Sequence, residues 1–259
     1  LQADFDKSLY GQHIVSDVVP KSVSFFMTDK NPNKPLVLSF HGTAGTGKNH
    51  VAKIIARNVY KKGEKSKHVH TFISQFHFPH QENVHMYSAQ LKQWIHGNVS
   101  SFPRSMFIFD EMDKMHPELI DIIKPFLDYN YNVDGVSFHT AIFIFLRSQK
   151  MMIWQIKWPK TCLTSLMKSE SLLLKAASQS DRSGFLHSGI IDKHLIDHFI
   201  PFLPLELKHV RQCVLAEMKH LNIKTNDDLA DKVVKDMPFF PDEERIFAVK
   251  GCKSARQKL

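Results

Sequence analysis

Two spacings of apolar residues alternate along the chain. Over residues 4–19, Phe5, Leu9, Ile14, Val15, Val18 and Val19 recur at helical intervals, which predicts an amphipathic helix ending before Pro20. A turn-rich stretch, 29–35, carries Pro32 and Pro35 and leads into a mainly apolar run from Leu36, which reads as a strand. Residues 51–60 read as a helix, 69–76 as a strand and 84–95 as a helix. A second fully buried strand follows at 106–109, then a helix at 119–127 and another buried strand at 141–146. Strands that alternate with helices predict a parallel sheet with helices on both faces. Beyond Pro201 the pattern is helical only, at 205–221 and 226–237. The chain therefore divides into an α/β domain over residues 1–200 and a small all-helical lid over 201–259.

The first buried strand runs into Gly42-Thr43-Ala44-Gly45-Thr46-Gly47-Lys48-Asn49, with the helix directly behind it. This is the form of a phosphate-cradling P-loop. The glycines let backbone N–H groups turn toward a phosphate, and the helix N-terminus adds partial positive charge. Lys48 would reach the β and γ oxygens as a point charge, worth roughly 4 kcal/mol at ~4 Å and an effective dielectric of about 20. Asn49 stands where a hydroxyl usually meets Mg²⁺, and its amide oxygen can serve there instead. The run Met106-Phe-Ile-Phe-Asp110-Glu111 ends in paired carboxylates, as expected at the C-terminal tip of a parallel strand. With a P-loop nearby, Asp110 is placed in the Mg²⁺ shell and Glu111 is placed to orient or polarise the attacking water. Nucleotide binding is the function these two segments predict together.

Composition narrows the field. At 259 residues and 43% hydrophobic content the chain can bury a substantial core. No apolar run approaches the ~20 residues of a membrane span. A segment preceding Leu1 is one expected route to membrane association. The net charge of +8 is scattered, apart from the basic loop at 61–67, so no nucleic-acid partner is expected. None of the three cysteines falls in a Cys-x-x-Cys spacing, and the proline in His77-Phe-Pro-His80 breaks helical register, so no zinc site is expected. Asn98-Val-Ser100 is an N-glycosylation sequon, usable only in a secretory compartment.

From Arg147 to Asp181 the alternation dissolves. If Asp228-Leu-Ala-Asp-Lys232 is written in codons and read one base later, it gives Ile-Trp-Gln-Ile-Lys, the sequence of 153–157. Ile246 to Ser254, shifted likewise, gives Ser-Leu-Leu-Leu-Lys-Ala-Ala-Ser-Gln, the sequence of 171–179. Both matches share an offset of 75 residues. The hypothesis is that about 149–182 is an out-of-frame copy of the coding sequence for about 224–257; unrelated nucleotides in the two regions would refute it. A shifted frame has no reason to satisfy a core pattern, so a loose insertion is expected there.

Taken together, Gly45-Thr-Gly-Lys-Asn49, Phe76-His-Phe-Pro-His80, Ile108-Phe-Asp-Glu-Met-Asp-Lys114 and Phe199-Ile-Pro-Phe-Leu-Pro-Leu-Glu206 resemble the torsins, AAA+ ATPases of the endoplasmic reticulum lumen and nuclear envelope. The A/B type is the closest match. The resemblance covers about 1–146 and 183–259. It implies a P-loop AAA+ parallel sheet flanked by helices and followed by a small helical lid. It further implies binding of ATP with Mg²⁺, and hydrolysis coupled to chaperone-like remodelling of proteins or membranes. Gly251-Cys-Lys253 is similar to the family's sensor-2 motif, in which the lysine contacts the γ-phosphate, so Lys253 joins the cofactor-binding set. By the same resemblance Cys213 pairs with Cys252, and Asn98 falls where the family is glycosylated. The implied partners are protein clients, further copies of the chain and an activator. That activator is the lumenal domain of lamina-associated polypeptide 1, or its lumenal relative, which supplies an arginine the torsins lack.

The chain departs from the family pattern in three ways. Thr43 replaces a tryptophan in the loop. Ser148 falls where the sensor-1 asparagine is expected, and the helices that normally follow are missing. Losing a preorganised amide there would cost about 10²- to 10³-fold in rate. Two readings follow: a torsin-like ATPase, or a torsin-like pseudoenzyme that binds ATP or partners without turnover. A P-loop small-molecule kinase is disfavoured because no acceptor site is evident.

Overall fold

The computed structural model describes residues 1–129, 132–148 and 195–259. The expected insertion from Gln149 to Arg182 lies outside the described residues.

The helices and strands follow in chain order. Helices α1 (Gln2–Ser8) and α2 (His13–Thr28) lead into β1 (Leu36–Gly42) and α3 (Lys48–Val59). Then come β2 (Val69–Ile73), α4 (Ser74–His77), α5 (Val84–Ser101), β3 (Met106–Asp110), α6 (Pro117–Ile123) and β4 (Ile142–Ser148). Strand β5 (His198–Phe202) precedes α7 (Leu207–His220), α8 (Asp227–Lys235), β6 (Phe239–Phe240), β7 (Phe247–Ala248) and α9 (Ala255–Lys258).

Five strands form one parallel sheet in the order β2-β3-β4-β1-β5. Strands β1, β3 and β4 are mainly apolar because both faces are covered, with Ser39 and His41 the buried polar residues of β1. Alternate side chains serve the two layers. Phe72, Phe107, Phe109, Phe143 and Phe145 face α5 and α6, with Phe107 and Phe143 stacked at 5.1 Å between ring centres. Leu38, Phe40, Met106, Ile108, Ile144 and Leu146 face α1, α2 and α3. Val210, Val214, Met218, Ala230, Val233 and Phe239 build a separate core for the lid. In β1 and β3 the carboxyl ends open on the same edge of the sheet, which brings residues 42–49 and Asp110 together.

Several boundaries differ from the sequence expectation. The N-terminal helix is two helices, broken where Gly11 takes φ +70°, and Pro20 lies inside α2 rather than beyond it. Pro20 removes one helical hydrogen bond. Burial of Val15, Val19, Val23 and Phe26 on either side of it holds the helix against the sheet. Strand β2 stops at Ile73 and turns into α4, whereas α5 continues to Ser101. Pro125 cuts α6 short, and a 3-10 turn (Lys124–Phe126) takes over. The division drawn at 200/201 falls inside β5, which belongs to the main sheet. As an edge strand, β5 tolerates Pro201. The lid is helical but also carries the short antiparallel ladder of β6 and β7.

Candidate functional site

The loop after β1 turns twice through left-handed backbone, at Gly45 (φ +77°) and Gly47 (φ +108°), before α3 begins at Lys48. The first N–H groups of α3 lack acceptors within the helix, as at any helix N-terminus, and no side chain caps them. That array, with Lys48 behind it, fits a polyphosphate. Thr46 Oγ1 donates to the carbonyl of Thr43 (2.8 Å) and pins the loop from inside. Lys48 is 7% exposed, and its ammonium donates to the carbonyls of Gly42 (2.9 Å) and Thr43 (2.7 Å). Burial pushes its pKa down to about 8, against the raising effect of Asp110 and Asp113. His41, just ahead of the loop, is lowered to about 3 by burial and then by Arg147 and Lys48. It is therefore neutral at physiological pH, and its Nε2 meets Ser39 Oγ at 2.7 Å.

Strand β3 delivers the acids beside this loop. Asn49 Nδ2 donates to Asp110 Oδ2 at 2.8 Å, joining the two residues predicted to hold a metal. The other Asp110 oxygen accepts the N–H of Glu111 (2.8 Å). Glu111 adopts φ +59°, an uncommon conformation for a residue with a side chain. It opens a 3-10 turn (Met112–Lys114) anchored by fully buried Met112. Lys114 Nζ donates to Glu111 Oε1 at 3.0 Å.

Strand β4 ends in register with the loop: Arg147 lies opposite His41, and Ser148 opposite Gly42. Ser148 is thus at the sheet edge where the sensor-1 amide is expected, and its backbone N–H donates to Asp113 Oδ1 (3.2 Å). Arg147 is buried and adds positive charge beside the loop, with Asp113 opposing the downward pull of burial on its pKa.

The lid meets the loop backbone to backbone. Cys252 N–H donates to the Gly45 carbonyl (3.1 Å). A Cβ on Gly45 would lie 2.0 Å from the Lys250 carbonyl, and one on Gly251 would lie 2.3 Å from the Gly45 carbonyl. Lys253 is carried on the same 3-10 turn (Gly251–Ser254), its Cβ 3.2 Å from that built on Gly45. Cys213 of α7 is joined to Cys252 by a disulfide, with 5.9 Å between Cα atoms. Asn98 lies elsewhere, on α5 across the sheet from α3, with its amide donating to the Trp94 carbonyl (2.8 Å).

Sequence reasoning missed Gln12. This residue is 2% exposed, and its amide nitrogen donates to the carbonyls of Thr46 (3.2 Å) and Leu203 (2.8 Å). Its amide oxygen accepts from Leu203 N–H (2.8 Å). One side chain therefore ties the loop to the segment entering the lid. Among the described residues no cluster of three or more His, Cys, Asp or Glu is placed to hold a metal ion. No helix among them is long and apolar enough to cross a membrane.

A parallel sheet with this strand order, a glycine loop opening α3, an acid pair at the tip of β3 and a helical lid resting on the loop define the AAA+ class of P-loop folds. Two structures of S. cerevisiae Hsp104 are similar to the chain: the ADP complex (TM-score 0.68, 16% identity) and the extended casein complex (TM-score 0.68, 17% identity). A closed-state Hsp104 with ATPγS and FITC-casein is similar too (TM-score 0.65, 18% identity). In each case 99% of this chain is covered but only 45% of the other, so the chain spans under half the length of those proteins. The family model described as Torsin matches residues 1–109, and that described as Torsin-1A, C-terminal domain, matches residues 205–259. The chain belongs to the torsin family of AAA+ proteins. AAA+ proteins generally bind ATP with Mg²⁺, and torsins are associated with the endoplasmic reticulum and nuclear envelope.

Proposed function

We propose that the chain is a torsin-like ATPase that binds ATP and couples its hydrolysis to chaperone-like remodelling of proteins or membranes in the endoplasmic reticulum lumen and nuclear envelope. The observation that carries this reading is the 2.8 Å bond between Asn49 and Asp110, which sets the end of the P-loop against the acid-tipped strand. Residues 42–48 cradle the phosphates, and Lys253 approaches from the lid. Asn49 and Asp110 would hold Mg²⁺, which when bound neutralises charge on the phosphates. Glu111 orients and deprotonates the attacking water. The activator is the lumenal domain of lamina-associated polypeptide 1 or its lumenal relative, supplying an arginine. Protein clients and further copies of the chain are the other proposed partners, and Asn98 is the proposed glycosylation site.

One observation favours a second reading, a pseudoenzyme that binds ATP or partners without turnover. Ser148, not an amide, stands at the end of β4 beside Gly42. ATP turnover with and without the activating lumenal domain separates the two. Turnover that disappears in Glu111→Gln supports the ATPase; binding with no partner-stimulated turnover supports the pseudoenzyme. Lys48→Ala is expected to abolish ATP binding in equilibrium titration, and unchanged binding would place the site elsewhere.

A further inference from the structure

The hydrogen bonds around Glu111 lead away from the nucleotide loop to the sheet edge. The turn that Glu111 opens is closed by Lys114 N–H donating to the Glu111 carbonyl (2.9 Å), so the Lys114 side chain folds back over the residue that starts the turn. Its ammonium meets two acceptors: Glu111 Oε1 at 3.0 Å and Gln75 Oε1 at 2.9 Å. Gln75 belongs to a different element, α4, which follows edge strand β2. The carboxylate is therefore held by a cation that another part of the fold holds in turn. The carboxylate oxygen bonded to the ammonium is turned from water, and the carboxylate is held away from the position it must take to orient one.

Resting on the reading of Glu111 as the group that activates water, we infer that Lys114 is a positioning residue that brakes Glu111, and that Gln75 locks the brake. The Lys114 and Glu111 side chains are 41% and 31% exposed, so the pair is weak and opens readily. The brake tunes turnover by a modest factor and does not abolish it. It also gives the edge element β2–α4 a route to the reacting group through Lys114.

The test uses the full chain with ATP and Mg²⁺, with steady-state turnover measured alongside ATP affinity. Lys114→Met is expected to raise kcat about two- to fivefold with KM unchanged, the scale of a lost exposed ion pair. Gln75→Ala leaves the turn intact and is expected to raise kcat about twofold. The double variant is expected to match Lys114→Met alone, because the lock acts only through the brake. Lys114→Arg restores the pair and the lower rate. A merely structural Lys114 would instead lower kcat on removal. Turnover in Lys114→Met at or below wild type, including none in either, overturns the inference, as does an additive double variant. The underlying reading fails separately if turnover is unaffected by Glu111→Gln.

Discussion

Lys48 sits where its surroundings work against its charge. Burial lowers its pKa to about 8, and Asp110 and Asp113 only partly offset that. Phosphates in the loop would raise it again. Above pH 8 binding therefore has to take up a proton, and affinity falls as pH rises through that value. ATP affinity is expected to be about tenfold weaker at pH 9 than at pH 7, following the loss of the charged form. Titration calorimetry in buffers of different ionisation enthalpy would register about one proton taken up at the higher pH. Lys48→Arg keeps its charge throughout and is expected to flatten the profile; a pH dependence unchanged in Lys48→Arg would mean another group titrates. The residues of this site were legible where chemistry and spacing coincide, as in residues 42–49 and Asp110-Glu111. Gln12 was not, because its partners stand 34 and 191 residues away and its role exists only once the chain is folded.

The buried strands announced themselves by mainly apolar runs, and the helices between them by period. Elements at the margins did not. Strand β5 contains Pro201, which argues against a strand until its edge position is known. Strands β6 and β7 are two residues each, too short for any period. The seam between lid and loop was invisible for a related reason: it is made of backbone. Gly251 holds φ +49° and has no room for a Cβ against the Gly45 carbonyl. Gly251→Ala is expected to cost at least about 1 kcal/mol from the left-handed backbone alone, and more from the contact. Chemical denaturation would measure the loss, and hydrogen exchange at Cys252 N–H would accelerate if the lid turn lifts from the loop. Unchanged exchange there would show that the turn does not depend on this close approach.

At the scale of the molecule, two cores flank one sheet and a third fills the lid, and specific attachments among the described residues join the lid to the sheet. Gln12 ties the loop to the segment entering the lid, Cys252 bonds Gly45, and the disulfide fixes Cys252 to α7. The disulfide spans 39 residues, so it removes considerable freedom from the unfolded lid. It also fixes the turn that carries Lys253, which links lid order to the phosphate end of the site. Cys213→Ser is therefore expected to destabilise the lid by about 2–4 kcal/mol. Hydrogen exchange should quicken in α7, α8 and α9 while β1, β3 and β4 keep their protection, because their cores do not include the lid. ATP should recover part of that protection if Lys253 engages it, since a ligand bound to the closed form stabilises that form. Loss of protection across the main sheet in Cys213→Ser would instead show that lid and sheet unfold as one unit.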